Sequence, residues 1–284
     1  MYMKKLLLTG AKGFTGCHLS EAAKKEGFEV FPLLSNLSDL TSIKSEVQRI
    51  EPDYVIHLGA ISYLEYANMI DIYKVNLFGT LNLLEALEEL PKKPEKVILA
   101  SSATVYGNTN NSSISEDVIA QPTNHYAMSK YAMEKMAANY YQKLPIVITR
   151  PFNYTGVGHD LRFVIPKIVD HFKCGRTYIE LGNIEVFREF NDVRVVRQIY
   201  IKLLEKGVSG QTYNLCSGRK ISLRNVITTL EKIAGYKIEV KVNTKFAREN
   251  EVDVLLGSPK KMEQILGIIS YRELEDTLSW MLND

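Results

Sequence analysis

A tyrosine and a lysine four residues apart, Tyr126-Ala-Met-Ser-Lys130, carry the first chemical signal of this 284-residue chain. On a helix, that spacing sets the phenol and the ammonium on one face. A nearby cation lowers a phenol's pKa from about 10, so Tyr126 is expected to exchange a proton near neutral pH. Upstream, the apolar run Lys96–Ala100 leads into Ser101-Ser102-Ala103-Thr104-Val105-Tyr106-Gly107. A hydroxyl at the carboxyl end of a strand is well placed to polarise a substrate oxygen. The third signal is Thr9-Gly10-Ala11-Lys12-Gly13-Phe14-Thr15-Gly16, between a strand-like run and a helical one. The spacing of Gly10, Gly13 and Gly16 allows a tight turn and a close backbone approach to a pyrophosphate, with a helix N-terminus facing the phosphates.

These groups need a scaffold, and the first half of the chain predicts one. Lys5–Thr9, Glu29–Leu34, Tyr54–Leu58, Lys96–Ala100 and Ile146–Arg150 read as strands. Residues 16–25, 41–50, 70–90 and 126–142 read as helices, the third with apolar residues at helical spacing from Ile72 to Leu87. Such alternation predicts an α/β fold, a doubly wound parallel sheet covered on both faces. It binds ligands at the carboxyl ends of its strands. Beyond Arg150 the pattern loosens, although Val195–Glu205 reads as a helix returning to the sheet and Tyr213–Leu215 as a further strand. The expected division is a cofactor-binding unit of residues 1–155 with about 190–217. A smaller C-terminal substrate-binding lobe takes about 156–189 and 218–284.

Composition narrows the class. Apolar residues make up 45% and charged residues 24%, with a formal net charge of +2. That is not the strongly basic profile of a nucleic-acid binder, so no nucleic-acid partner is expected. No apolar run approaches the roughly 20 residues of a membrane helix, so no membrane partner is expected either. Cys17, Cys174 and Cys216 are scattered, and the five histidines show no metal-ligand spacing. A reduced, cytoplasmic protein without a disulfide framework or a bound metal is the expectation.

The cofactor preference is read from the second strand. NAD usually meets an acidic residue there, which holds the ribose 2′-hydroxyl. This strand ends Leu33-Leu34-Ser35-Asn36 without a carboxylate, and Lys12 stands in the glycine loop where a cation could face a 2′-phosphate. Both points favour NADP(H). Lys12 also reads as a solvated loop lysine, and Asp39 either approaches the adenine or caps the following helix.

With these motifs in place, the chain resembles the extended short-chain dehydrogenases/reductases that act on nucleotide sugars. His57-Leu58-Gly59-Ala60, Asn76-Leu-Phe-Gly79-Thr80 and Arg150-Pro-Phe-Asn153 extend the likeness over essentially the whole length. The resemblance implies a Rossmann fold, with Ser102 as hydrogen-bond donor to the substrate oxygen, Tyr126 as acid/base and Lys130 as its activator. It implies a cofactor site of Gly10, Lys12, Gly13, Phe14, Gly16, Ser35, Asn36, Asp39, Leu40, Leu58, Gly59, Ala60, Asn76, Tyr126 and Lys130. The second half is most similar to GDP-mannose 4,6-dehydratases and GDP-4-keto-6-deoxy-mannose reductases. By that likeness Lys167, Arg188 and Arg248 would meet a diphosphate, Glu251 ribose hydroxyls, and Asn153 the sugar phosphate, with Thr104 also at the substrate. Dehydratases of the family carry an acidic residue two positions after the catalytic Ser/Thr, where this chain has Thr104. The resemblance therefore implies an NADPH-dependent 4-keto reductase of a GDP-linked 4-keto-6-deoxy hexose or heptose, serving cell-surface polysaccharide sugar synthesis. An NAD-dependent 4-epimerase is the alternative, with a dehydratase or a non-catalytic NADP-binding protein behind it. It also implies a homodimer, pairing the helices of residues 70–90 and 126–142.

Overall fold

The computed structural model describes residues 3–62, 68–109, 113–243 and 254–284. Its centre is a six-stranded sheet in the order β10-β5-β4-β3-β1-β2, every neighbouring pair parallel. The strands are β1 (Lys5–Thr9), β2 (Glu29–Pro32), β3 (Tyr54–His57), β4 (Lys96–Ala100), β5 (Ile146–Pro151) and β10 (Thr212–Leu215). The expected strands are all present, and β2 stops two residues short of Leu34.

Alternating side chains send the strands' apolar residues to opposite faces. Leu6, Leu8, Ile56, Ile98 and Val147 pack against α1 (Phe14–Lys25) and α7 (Val193–Lys206). Leu7, Val55, Val97, Leu99 and Ile146 pack against α2 (Leu40–Ile50), α4 (Gly79–Glu89) and α5 (His125–Ala137). Burial on both faces is why these strands read as continuous apolar runs.

The helix expected over residues 70–90 is interrupted. A short α3 (Met69–Tyr73) passes into a π turn, Lys74–Phe78, before α4 begins at Gly79. The apolar spacing alone does not register such an insertion, because the apolar residues on either side still follow helical spacing.

A separate apolar cluster lies outside the sheet. Ile165 and Ile168 of α6 (Val164–Lys173) meet Val226 and Leu230 of α8 (Leu223–Ala234), and Leu278 and Met281 of α10 (Leu274–Asn283). Short strand pairs flank it. β6 (Tyr154–Thr155) pairs with β9 (Asn191–Asp192), and β7 (Tyr178–Leu181) with β12 (Glu239–Val242). β8 (Phe187–Arg188) lies between β11 (Ile221–Ser222) and β13 (Val254–Leu255). α9 (Lys260–Leu266) returns to the sheet face through Met262 and Leu266.

One buried ion pair ties α5 to the sheet. Arg150 donates from Nε and Nη2 to the two carboxylate oxygens of Glu134 at 3.0 and 2.6 Å, both side chains being buried. The guanidinium also lies 4.8 Å from the Tyr106 ring centre. Removing one partner of such a pair strands the other charge. Glu134→Ala is therefore expected to cost about 3–5 kcal/mol in urea unfolding. The double replacement Glu134→Leu with Arg150→Met should recover most of that loss.

Candidate active site

The carboxyl ends of β1, β3, β4 and β5 lie side by side, and each carries one of the motifs. Between β1 and β3 the strand order reverses, the position at which doubly wound sheets bind nucleotides. Gly10 follows β1 with φ +68°, and a Cβ there would lie 2.9 Å from the Gly59 amide beyond β3. At Gly16 a Cβ would fall 2.1 Å from the Gly10 carbonyl oxygen. Only glycine lets α1 come this close to the loop. Gly13 is the N-cap of α1 and brings no side chain to its first amides, which leaves them available to an anion.

A chain of hydrogen bonds runs from this loop to the helix bearing Tyr126. The Gly59 amide donates to Thr9 Oγ1 at 2.8 Å, and Thr9 Oγ1 lies 2.7 Å from His57 Nδ1. His57 Nε2 lies 2.8 Å from Thr80 Oγ1, which itself donates to the Asn76 carbonyl. Thr80's proton is committed, so Nε2 carries the ring proton and Nδ1 accepts from Thr9. Burial, helped by the Lys130 charge, pushes the imidazole pKa down to about 3, so it is neutral. Asn76, in the π turn, accepts from the Ile61 amide and donates to the Ile61 carbonyl and to Ser129 Oγ. Ser129 in turn donates to the Tyr126 carbonyl at 2.7 Å. The sequence presented His57 as a motif letter and Asn76 as an expected cofactor-site residue; their side-chain partners lie on β1, α4 and α5.

Ser102, Tyr126 and Lys130 converge at the end of β4. Ser102 caps a short 3-10 turn, Ala103–Tyr106, and its Oγ accepts from the Thr104 amide and hydroxyl at 3.2 and 2.9 Å. Burial raises the Tyr126 phenol to about 12; its hydrogen bond with Ser102 opposes this and neighbouring Tyr154 adds to it. Lys130 is buried, donates to the Ala100 carbonyl at 2.7 Å, and is lowered by burial to about 8, with Glu134 opposing. The expectation that Lys130 draws the phenol toward neutrality is thus corrected. Desolvation dominates both groups and favours the neutral form of each.

The end of β2 also differs from its reading. Asp39 is the N-cap of α2, accepting from the Ser42 amide at 3.1 Å, so capping is the role it fills. A carboxylate does reach the strand end, but from Glu46 on α2, which accepts from the Leu34 and Ser35 amides and the Ser35 hydroxyl. A buried acid on an amphipathic helix leaves no trace in the spacing. Lys12 is exposed on the loop. Leu37, three residues before α2, packs over Gly59 and Gly79.

Aromatic side chains from the segment after β5 pack against the glycine loop. Phe14, in the glycine loop, stacks on His159 at 4.3 Å between ring centres, and His159 on Phe163 at 4.4 Å. Burial lowers the His159 pKa to about 4. Tyr154 meets Thr15 of the loop through a hydroxyl–hydroxyl contact of 2.7 Å. Neither His159 nor Tyr154 is singled out by the sequence, where both follow Arg150-Pro-Phe-Asn153 as ordinary loop residues. Asn153 is exposed at the end of β5, and its carbonyl accepts from the Asn191 amide. Lys167 lies on α6 and donates to the Glu180 carbonyl, and Arg188 lies on β8. Arg248 and Glu251 lie outside the described residues. Among the described residues no helix is long and apolar enough to cross a membrane.

Comparison with known proteins gives a consistent likeness. The family model of GDP-mannose 4,6-dehydratase matches residues 33–281. A GDP-6-deoxy-D-talose 4-dehydrogenase of Aggregatibacter actinomycetemcomitans is 34% identical over 268 residues, 93% of this chain and 91% of that protein. A GDP-6-deoxy-D-mannose reductase of Pseudomonas aeruginosa is 31% identical over 99% of this chain and 97% of its own length. Among solved structures, a putative epimerase from Burkholderia cenocepacia is 39% identical with a TM-score of 0.95, covering 99% of this chain and 97% of that one. The structure of RMD from Pseudomonas aeruginosa complexed with NADPH is 30% identical with a TM-score of 0.90 and the same coverage.

The depressed Lys130 pKa carries a stability consequence. Its folded value, about 8, lies below the unfolded value near 10.5. The ammonium form therefore opposes folding below pH 8, and the penalty fades as pH rises from about 8 to 10.5. Lys130→Met should be more stable than the parent by about 2 kcal/mol at pH 7, after about 1 kcal/mol for the lost hydrogen bond. In urea unfolding at pH 7 and 9.5 that advantage should shrink at the higher pH; a constant advantage would contradict this account of the lysine.

Proposed function

The chain belongs to the GDP-mannose 4,6-dehydratase family, within the extended short-chain dehydrogenases/reductases, and on that premise we propose that it is an NADPH-dependent reductase. Its substrate in this reading is a GDP-linked 4-keto-6-deoxy sugar. The observation that carries the proposal is the grouping of Ser102, Tyr126 and Lys130 at the end of β4, with Thr104 where elimination would need a carboxylate base.

The glycine cradle and the uncapped first turn of α1 fit a dinucleotide pyrophosphate. A bound reduced nicotinamide supplies the hydride. The protein's part is the proton. A phenol raised to about 12 stays protonated at neutral pH, and so stands ready as an acid toward an alkoxide forming on the former keto oxygen. Ser102, in hydrogen-bond contact with that phenol, is placed to hold the same oxygen. Lys130 anchors the helix face to the end of β4 through Ala100. A hydroxyl at Thr104 cannot serve as a base at neutral pH, which weighs against dehydration.

In this reading residues 1–155 with about 190–217 hold the cofactor. The rest holds the nucleotide sugar, with Lys167 and Arg188 toward its diphosphate and Asn153 toward the sugar phosphate. The NADPH complexed with RMD from Pseudomonas aeruginosa supports the choice of cofactor, as does Lys12. Met69, Ile70, Phe78 and Met128 are exposed on α3, the π turn and α5, and a homodimer would cover them. The 39% identity to a putative epimerase favours a 4-epimerase as the second reading.

A panel of GDP-, UDP-, CDP- and dTDP-linked 4-keto sugars with NADPH decides between them. Loss of nicotinamide absorbance with the GDP-linked substrate, and a 4-hydroxy product by NMR, is the expected result. Tightly held NAD with no net consumption of reductant would point to the epimerase. Tyr126→Phe is expected to lose roughly 10²- to 10⁴-fold in turnover while still binding cofactor; near-normal turnover would sink the mechanism.

A further inference from the structure

The exit of β2 carries a negative charge that the strand itself does not supply. Glu46 lies on α2 with its side chain buried, and it reaches back across the turn. Oε1 and Oε2 lie 3.1 and 3.2 Å from the Leu34 amide, and Oε2 accepts from the Ser35 amide at 2.8 Å and the Ser35 hydroxyl at 2.6 Å. Burial works against ionisation. The bonds from Ser35 and Leu34, with Arg49 at 3.8 Å, outweigh it and hold the carboxyl below its ordinary range. Glu46 is therefore a fixed anion at neutral pH. Both protons of Ser35 are turned to it, so Ser35 itself offers only hydroxyl lone pairs to an arriving group, although the exposed Asn36 side chain, whose Oδ1 accepts from the Ser38 amide, keeps an amide donor nearby.

In a doubly wound sheet the adenosine ribose is held at this strand end. A ribose 2′-hydroxyl has a proton to give to such an oxygen. A 2′-phosphate, mostly a dianion at pH 7, has no proton to give, needs donors instead, and would meet Glu46 as a like charge. Lys12, exposed across the glycine loop, pulls the other way. Leu37 and Asn82 fix the turn in place, since the Asn82 amide donates to the Leu37 carbonyl at 2.8 Å.

We propose that Glu46, acting through Ser35, is a specificity-determining residue: it keeps Ser35 an acceptor at the β2 exit, so that NADH is bound alongside NADPH, with Lys12 and the Asn36 amide retaining the phosphorylated form. The proposal rests on the dinucleotide reading of the glycine loop, and it is independent of the sugar.

The test is direct binding, followed by intrinsic fluorescence, of NADH and NADPH separately to the full-length protein and to Glu46→Gln, Glu46→Asp and Lys12→Ala. Adenosine 2′,5′-bisphosphate and AMP serve as competitors that report the 2′-group alone. In the parent, the two cofactors should differ by less than about tenfold in Kd. Glu46→Gln should shift the ratio toward NADPH by about tenfold, and Lys12→Ala should shift it toward NADH. Glu46→Asp keeps the charge, so it should keep the parental ratio even where it loosens the turn and weakens both cofactors together. An unchanged ratio in Glu46→Gln overturns the proposal while leaving the dinucleotide reading intact, as does a parent that rejects NADH by more than about 100-fold. Binding of neither cofactor overturns both.

Discussion

The site depends on two loops, after β1 and β3, being held within van der Waals distance of each other while a helix from the far side of the chain is held to both. Glycine at 10 and 16 permits the approach, but permission is not attachment. Attachment comes from the neutral imidazole of His57, which accepts from one threonine and donates to another. Every group along that path has a single consistent direction for its proton, from the Gly59 amide to the Asn76 carbonyl. In a low-dielectric interior such a fully satisfied chain specifies one arrangement, whereas a broken one would leave unpaired polar atoms. The Asn76 amide then carries the constraint to Ser129 and the backbone of Tyr126.

Buried charge is used in contrasting ways around this framework. Arg150 and Glu134 face each other with matched geometry and brace α5 from behind. Lys130, one turn earlier, donates to the Ala100 carbonyl and gives up part of its basicity to burial. Glu189 is buried too, and accepts from the amides of Ser217 and Gly257 and from Asn191. Burial still raises its pKa. It ties the turn between β8 and β9 to the segments that follow β10 and β13.

Much of this was legible in the residues themselves. The parallel sheet followed from apolar runs and intervening helical spacing, because strands buried on both faces have no polar side to show. The glycine loop, Tyr126, Lys130 and Ser102 were legible because their chemistry demands particular residue types at particular separations. What escaped was whatever depends on an encounter between distant segments. Glu46 looks like any polar residue of an amphipathic helix until α2 is laid against the β2 exit. His159 looks like loop until Phe14 and Phe163 close on it. The direction of the phenol's shift was not legible for the same reason: spacing sets a lysine on the same helix face, but not the depth at which both groups are buried.

The π turn at Lys74–Phe78 changes what the segment tolerates over time. A π turn is in effect one residue inserted into a regular helix, and it persists only where the insertion is useful. Here it presents Asn76 to Ile61 and Ser129 while Gly79 starts α4 against Leu37. Loss of a single residue from this stretch would restore an ordinary helix, and every side chain before the deletion would rotate by about 100° relative to α4. Point substitutions of its other residues are local events. Length changes and loss of Asn76 are not, so this segment should keep its residue count and its asparagine among descendants of the chain while the rest drifts.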